Sequence, residues 1–481
     1  MDTLSALVSQ PLALELGLFG LLLLVFVAGL VQPSRVSFAE KKIPGLITLG
    51  GLTALTLASG IAAPGASAFG GTFAVDELAV FLKTLFFGSA ALSVLAALGL
   101  SGHAMTRRSA EYHVALLASL LGMVVLASAR DLVLLFVSFE LMSIPLYFLT
   151  GFEKRSEAAP EGALKFFVVG SVSSAVILYG LSFVYGVTGV TTISAIGPAM
   201  EAGNPLLLLG LVLTLAGLGF KIAAVPFHMW VPDTYEAAGT PFVAWLSVAP
   251  KAAGFIVIIR LFVEGGGPAM LKWVPAVAGI ATVTVIFGNL MAIPQQNIKR
   301  LLGYSGIAHI GYLLMGLAAM SASGIGMLLF YLVAYLFGNM GAFFVVQAVA
   351  RSEQSDQIDV YSGLARRSPV LALSLLVFLL SLGGIPFMAG FWAKLFVFFA
   401  VVERGMYWLA FLGAVATVVA LYYYLVVAKR MYIDPSPRQE AVQVPGVLFV
   451  AIVLCMAGVV IMGLYPDPWV SGARRVAASL F

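Results

Sequence analysis

Charge and cysteine are both scarce in this chain. Only 10% of its 481 residues are charged, whereas soluble globular domains carry roughly 25%. A single cysteine, Cys455, excludes an internal disulfide and a cysteine-rich metal cluster. The four histidines are scattered, and neither GxGxxG nor GxxxxGK[ST] precedes a helix, so nothing indicates a metal or a nucleotide in this chain. With 61% hydrophobic residues, the composition predicts an all-α polytopic membrane protein without a cofactor of its own.

Long apolar runs fill most of the sequence. A helix needs about 20 apolar residues to cross the hydrocarbon core of a bilayer. The first run has no basic region before it and continues past Val31, which predicts a retained span rather than a cleaved signal. Fourteen spans are predicted near 12–31, 43–63, 76–100, 111–129, 131–150, 161–188, 204–238, 241–263, 273–293, 298–320, 323–350, 369–401, 406–431 and 445–464.

The seventh and twelfth runs are too long for one straight span, and they contain Pro226 and Pro386. Proline removes a backbone donor and clashes with the preceding turn, so each run is predicted to form two half-helices. Broken helices at membrane depth must line a cavity. Because the breaks are five spans apart, the two halves would run in opposite directions, as in transporter repeats.

The resulting domain organisation has four parts. We expect an N-terminal three-helix segment over 1–110, a first five-helix repeat over 111–263, an inverted second repeat over 273–431 and a C-terminal helix within 445–481.

Basic residues are concentrated in the loops after odd-numbered spans, which places those loops in the cytoplasm and both termini on the periplasmic side. The pairs on that side are Lys41–Lys42, Arg107–Arg108, Lys154–Arg155, Lys299–Arg300, Arg366–Arg367 and Lys429–Arg430, with Arg35, Arg351 and Arg438 as single residues. The opposite side carries Arg130, Arg260, Lys272, Arg404, Arg474 and Arg475. This asymmetry accounts for the net charge of +4 and gives no argument for nucleic acid.

Four ionisable residues lie deep inside spans: Glu140, Lys221, Lys251 and Lys394. A charge at mid-bilayer costs at least about 2.5–3.5 kcal/mol, so such residues are rare and usually functional. Burial favours the neutral amine, whereas a nearby carboxylate favours the charged one. A Glu140–Lys221 pair that approaches and separates would therefore act as a proton switch. The structural alternatives are a fixed ion pair for Glu140 and snorkelling for Lys221.

Other polar residues could extend such a path. His309 could relay protons between lysines or be a hydrogen-bonded core residue, and His228 could reach Lys251 through water. For Lys165, a functional role and snorkelling weigh equally. The tyrosines at 422–424 could bond near Lys394 or form an interfacial belt. We expect Lys83 to snorkel and Glu15, Asp76 and Glu77 to be solvated.

Three long stretches are distinctive: KIAAVPFHMWVPDTYEAAGTPFVAWLSVAPKAAGF, NLMAIPQQNIKRLLGYSGIAHIGYLLMG and DVYSGLARRSPVLALSLLVFLLSLGGIPFMAGFWAKLFVFF. They resemble the antiporter-like subunits of respiratory complex I, most of all the subunit N group. The resemblance extends over roughly residues 110–430 and implies two inverted five-helix bundles. It also implies proton-transfer roles for Glu140, Lys221, Lys251 and Lys394, and it favours one for Lys165. A sibling subunit carries glutamate at the last position, so Lys394 favours the subunit N group.

The resemblance further implies a bacterial inner-membrane complex with other membrane subunits as partners. NADH, FMN, Fe–S clusters and quinone would then bind to partner subunits. This chain would translocate protons without redox chemistry. Two alternatives share the same lysines and glutamate: a subunit of an Mrp-type Na+/H+ antiporter, and the membrane arm of a hydrogenase.

Overall fold

The computed structural model is all-helical apart from one small hairpin, and it describes residues 7–31, 42–100, 104–153, 158–436 and 440–481. In this part of the chain, thirteen helices are long and apolar enough to cross a membrane, and a broken helix supplies a fourteenth span. The spans are α1 (Ala13–Val31), α2 (Ile43–Ile61), α3 (Glu77–Leu98), α4 (Ser109–Ser128), α5 (Leu132–Thr150), α6 (Ala158–Thr188), α7a (Pro205–Ile222) with α7b (Trp230–Ala237), α8 (Thr240–Glu264), α9 (Val274–Ala292), α10 (Ile298–Ala318), α11 (Ala322–Glu353), α12a (Pro369–Gly383) with α12b (Ala389–Glu403), α13 (Tyr407–Tyr432) and α14 (Gly446–Leu464). The predicted spans are therefore confirmed.

Short elements complete the described chain. Single-turn or two-turn helices cover Ala104–Arg107, Gly197–Ala202 and Leu364–Arg367, and 3₁₀ turns cover Phe69–Gly71, Ile193–Ala195, Gly267–Trp273 and Ile358–Tyr361. The span α8 consists of Thr240–Leu246, Ala249–Ile258 and a final π-helical turn, Ile259–Glu264. The predicted cytoplasmic basic residues Arg35, Lys41, Lys154, Arg155 and Arg438 lie outside the described residues.

Both long spans are broken, but the helices end before their prolines. Ala223 ends α7a with φ 65°, and Gly384 ends α12a with φ 82°. In each case the N–H group of the following residue donates a hydrogen bond to the carbonyl five residues earlier, Ala224 to Gly219 and Ile385 to Leu380. This left-handed C-cap satisfies the last carbonyls of the half-helix. The same motif therefore ends both half-helices, and Pro226 and Pro386 follow it as stops.

The connections before α5 and α10 also match. Asp131 caps α5 by accepting from the N–H groups of Val133 and Leu134, and Asn297 caps α10 in the same way. Each cap residue pairs as an isolated antiparallel bridge with the segment that follows the next span, Asp131 with Thr192 and Asn297 with Gln357. These two bridges hold the starts of α5 and α10 against the ends of α6 and α11.

Two elements lie outside the predicted spans. Strands β1 (Ala66–Ala68) and β2 (Phe73–Val75) form an antiparallel hairpin before α3. A helix, α15 (Asp467–Ala478), follows α14 and packs its apolar side against α11 and α3. Neither contains an apolar run of membrane length, so neither produces the signal by which spans are found.

The helices differ in how deeply they lie in the bundle. Every residue in the apolar windows of α8 and α10 is buried, whereas at most a third of the residues in those of α1, α2 and α13 are. A wholly buried apolar helix lies at the centre of a bundle. The fold therefore places Lys251 on α8 and His309 on α10 in the interior of the protein.

Candidate functional site

The three predicted lysines are all buried. Lys221, Lys251 and Lys394 expose 2%, 1% and 3% of their surface, whereas Glu140 is only partly buried. The amines therefore do not reach a surface, and snorkelling is excluded for all three. Their surroundings differ from one lysine to the next.

Glu140 and Lys221 lie on neighbouring helices without a direct ion pair. The Lys221 Nζ donates to Ser143 Oγ at 2.8 Å, one turn after Glu140 on α5. The Ser174 hydroxyl on α6 donates to Glu140 Oε1 at 2.5 Å. Among the described residues, no nitrogen–oxygen contact within 4.0 Å joins the two charged groups. The predicted pair is thus present as two separated members, each held by a serine.

Aromatic rings enclose the Lys221 amine. Its Nζ lies 5.2 Å from the ring centre of Phe139, 5.9 Å from Tyr147 and 6.0 Å from Phe166. Trp230 of α7b stacks on Phe166 at 4.3 Å, which links this enclosure to the half-helix beyond the break. Rings at these distances stabilise an ammonium through their negative faces. A charged Lys221 therefore has stabilising contacts even when it is away from Glu140.

Lys251 has the fewest polar contacts of the three lysines. Its Nζ makes no hydrogen bond to any described residue and lies 5.6 Å from the ring centre of Tyr235. Gly306 of α10 faces it, and a Cβ there would lie 3.2 Å from the amine and 2.9 Å from the Tyr335 hydroxyl. The missing side chain thus lets Lys251 and Tyr335 approach the α10 backbone.

His309 lies on the same helix as Gly306, one turn further along, among tyrosines. Its Nδ1 is 2.7 Å from the Tyr331 hydroxyl, its Nε2 is 3.4 Å from the Tyr424 hydroxyl, and its ring lies 4.9 Å from that of Tyr335. Tyr424 also bonds to Ser305. The histidine therefore has hydroxyl groups at both ring nitrogens, as a proton relay requires.

Lys394 is held at the second break. Its Nζ donates to the carbonyl of Leu382 at 2.8 Å and lies 4.8 Å from the ring centre of Tyr312, which also contacts the ring of His309 at 6.1 Å. A carbonyl at the end of α12a is free to accept this bond because the helix stops there. The break thus supplies the partner for the amine.

These contacts connect Lys251, His309 and Lys394 through tyrosines. Tyr335 lies beside both Lys251 and His309, and Tyr312 lies beside both His309 and Lys394, whereas Lys221 meets α8 through packing of its Cβ against Gly254. A polar row shared by all three lysines stays a prediction. The tyrosines at 312, 331 and 335 were not predicted, because a tyrosine in an apolar run resembles ordinary core.

Lys165 and His228 lie beside this row rather than in it. Lys165 is half-exposed, and its Nζ binds Glu161 at 2.8 Å and Asp233 at 3.0 Å. His228 is buried at the first break and contacts the ring of Phe287 at 4.6 Å. Among the described residues, no hydrogen bond joins His228 to Lys251. Of the tyrosines at 422–424, only Tyr422 is exposed.

The expectations for Lys83 and Glu15 were wrong. Lys83 is fully buried, and its Nζ lies 2.6 Å from Glu15, which is 5% exposed. The partner of Lys83 lies on α1, far away in sequence, so the pattern of α3 alone could not reveal the pair. A buried charge persists only when it is paired, which accounts for this contact.

Asp76 was also expected to be solvated, but it is the centre of a charge cluster. Arg260 binds both of its carboxylate oxygens at 2.7 Å and also contacts Glu264 at 2.9 Å. Arg130 binds Asp76 at 2.8 Å and also pairs with Glu264. Burial raises the pKa of the Asp76 carboxyl, but the two arginines outweigh it, and the pKa lies below its ordinary value. The cluster joins the starts of α3 and α5 to the end of α8.

Known proteins share both the sequence and the fold of this chain. Residues 129–420, more than half of the chain, match the family model described as NADH:quinone oxidoreductase/Mrp antiporter, TM. NADH-quinone oxidoreductase subunit N from Heliobacterium modesticaldum is 44% identical over 85% of this chain and 86% of its own length.

Two solved structures extend this comparison. A chain of respiratory complex I from Thermus thermophilus superposes with a TM-score of 0.81 at 32% identity, over 95% of this chain and 98% of that one. A chain of the Mrp complex from Dietzia sp. has a TM-score of 0.83 over 100% and 98%, but at 20% identity it shows the shared fold alone. By sequence as well as fold, the chain belongs to the NADH:quinone oxidoreductase/Mrp antiporter family and, within it, to the subunit N group of NADH-quinone oxidoreductases.

Proposed function

We propose that this chain is a proton-translocating membrane subunit of an NADH-quinone oxidoreductase and carries out no redox chemistry itself. NADH, FMN, Fe–S clusters and quinone would bind to partner subunits, among them further membrane subunits. Quinone reduction elsewhere would bias the Glu140–Lys221 pair, and protons would then pass Lys251 and His309 towards Lys394. The observation that carries the proposal is the set of three buried lysines, with hydroxyl and imidazole groups between Lys251 and Lys394.

The breaks suit this role physically. An amine at mid-membrane needs a partner that it can leave, and the row offers neutral partners at most steps: Ser143 for Lys221 and the Leu382 carbonyl for Lys394. Neutral partners bind an amine less strongly than a carboxylate does. Proton transfer along the row then requires no strong ion pair to be broken after the first step. Lys165, bound to Asp233 at the membrane edge, would stand beside the route from the cytoplasm.

The two five-helix repeats belong to the same proposal, with boundaries at 111–263 and 273–431. The matched bridges of Asp131 and Asn297, and the shared left-handed ends of α7a and α12a, support it. We place the chain in the bacterial plasma membrane with both termini periplasmic. The described basic pairs at 107–108, 299–300, 366–367 and 429–430 support that orientation.

Lys221→Ala in the assembled complex tests the proposal. We expect the rate of NADH-driven proton pumping in inverted vesicles to fall by about tenfold, because the switch loses its amine. Electron transfer from NADH to an artificial acceptor at the flavin subunit should stay unchanged. Glu140→Gln should also lower pumping, since it leaves the amine without its carboxylate.

Lys272→Met is the control, because Lys272 is exposed and, among the described residues, its amine donates to the Glu201 carbonyl alone. Normal pumping in both Lys221→Ala and Glu140→Gln would make these residues structural. Sodium-dependent proton exchange by the chain in vesicles without flavin or Fe–S subunits would instead indicate an Mrp-type antiporter.

A further inference from the structure

Glu140 and Lys221 are each hydrogen-bonded to a different serine. Ser143 lies three residues after Glu140 on α5, so both side chains are on one face of the helix. Its hydroxyl donates to the Phe139 carbonyl at 2.7 Å, which leaves its lone pairs to accept from the Lys221 Nζ at 2.8 Å. The orientation of the hydroxyl is thus fixed by its own helix.

Ser174 acts on the other member of the pair. Its hydroxyl donates from α6 to Glu140 Oε1 at 2.5 Å, and the side chain is 8% exposed. A hydrogen bond to a carboxylate is roughly twice as strong as one between neutral groups. The carboxylate is therefore held towards α6, while the amine is held one turn further along α5.

We infer that Ser143 and Ser174 are positioning residues that hold the Glu140–Lys221 pair open. The inference rests on the proposed function, in which the pair switches between separated and joined forms. Without the Ser143 hydroxyl, the nearest anionic partner for the amine is the Glu140 carboxylate, one turn away. The rings of Phe139, Tyr147 and Phe166 stabilise the separated ammonium, so the serines need only balance a fraction of the attraction between the charges.

The chain offers a matched control for each serine. Ser138, on the same helix as Ser143, donates to the carbonyls of Leu134 and Leu135 and touches neither charged group. Ser173, the neighbour of Ser174, donates across to the Gly217 carbonyl at 2.6 Å. Alanine at either control position removes a buried hydroxyl of the same kind without freeing Glu140 or Lys221.

The experiment compares Ser143→Ala, Ser174→Ala, Ser138→Ala and Ser173→Ala in the assembled complex, with NADH-driven pumping as the measurement. Loss of one bond to a charged group should shift the balance towards the joined pair by about tenfold, or about 1.4 kcal/mol. We expect pumping to fall by about that factor in the first two variants only. Ser143→Thr keeps the hydroxyl and should restore most of the rate.

A second measurement separates positioning from packing. In a Glu140→Gln background the amine has no carboxylate to join, so adding Ser143→Ala should lower the residual pumping no further. Equal fractional losses in both backgrounds would overturn the inference, as would a Ser143→Ala variant that pumps like Ser138→Ala. If Glu140→Gln and Lys221→Ala themselves pump normally, it is the proposed function that fails.

Discussion

The first halves of the two broken helices end in the same left-handed C-cap, but the chemistry around their lysines differs. At the first break, Lys221 has a serine as its present partner, and Glu140 stands one turn before that serine on α5. At the second break, Lys394 has a carbonyl of its own broken helix and the ring of Tyr312. Among the described residues, a carboxylate acts on the charge of Lys221 and none acts on that of Lys394, so the switch of the proposed mechanism belongs at the first break.

Matched positions on α5 and α10 show how the difference arises. Glu140 stands nine residues after its cap, Asp131, and Gly306 stands nine residues after Asn297. Ser143 and His309 each stand twelve residues after the same caps. On α10 there is thus no side chain at the position where α5 has its carboxylate, and Lys251 approaches that position. The imidazole of His309, which has two ring nitrogens for hydrogen bonds, takes the position of the Ser143 hydroxyl, and this suits a relay better than a switch.

Lys394→Met should give the largest effect and sharpens this comparison. Its amine binds a neutral carbonyl, so its removal leaves no buried charge unpaired, and the cost in stability should be about 1–3 kcal/mol for the carbonyl that loses its donor. Pumping should nevertheless fall by about tenfold or more, because the row loses its last amine. The measurements are pumping in vesicles and the melting temperature of the purified complex. A large loss of assembled complex would mean that Lys394 is a structural residue.

Asp76→Asn tests the other difference between the halves, the charge cluster beside the cap of α5. Asn leaves Arg260, which is 1% exposed, with Glu264 as its remaining counter-charge, so the cost should be at most the about 3–5 kcal/mol of a buried charge left unpaired. The connection before α10 has instead the single pair Lys299–Asp356 at 2.8 Å. Asp356→Asn breaks one pair rather than a cluster of four charges, so it should cost less than Asp76→Asn.

The thermal stability of the complex measures both substitutions. The sign of the pH effect follows from the lowered pKa of Asp76. The stability that this carboxylate contributes to the folded state is present above its unfolded-state pKa of about 3.9, and it is lost as the pH falls through its lower folded-state pKa. Equal losses for Asp76→Asn and Asp356→Asn would show that the cluster has no special role in holding α5 and α8.

The sequence was sufficient for the spans and for the charges within them. Both are local signals: apolar runs of membrane length predict the spans, and charged residues inside those runs, such as Lys221, Lys251 and Lys394, are rare because their burial is costly. Contacts between distant segments were not predictable: Glu15 and Lys83 look like two isolated residues until α1 and α3 are brought together. Each break also lies a few residues before the proline that predicted it, because a residue in the left-handed conformation already ends the half-helix there.

Tyr331→Phe should give the smallest effect and tests whether the second half works as a relay. The variant keeps the ring but removes the hydroxyl 2.7 Å from His309 Nδ1. One ring nitrogen is then left without its partner, at a cost of about 1–3 kcal/mol if no other group replaces it. We expect pumping to fall by about threefold to tenfold, with little change in the amount of complex.

Tyr361→Phe is the control, since Tyr361 is equally buried but lies on the connection between α11 and α12a. A normal rate in Tyr331→Phe together with a large loss in Lys394→Met would remove His309 from the path, because the amines at 251 and 394 would then exchange protons without the imidazole.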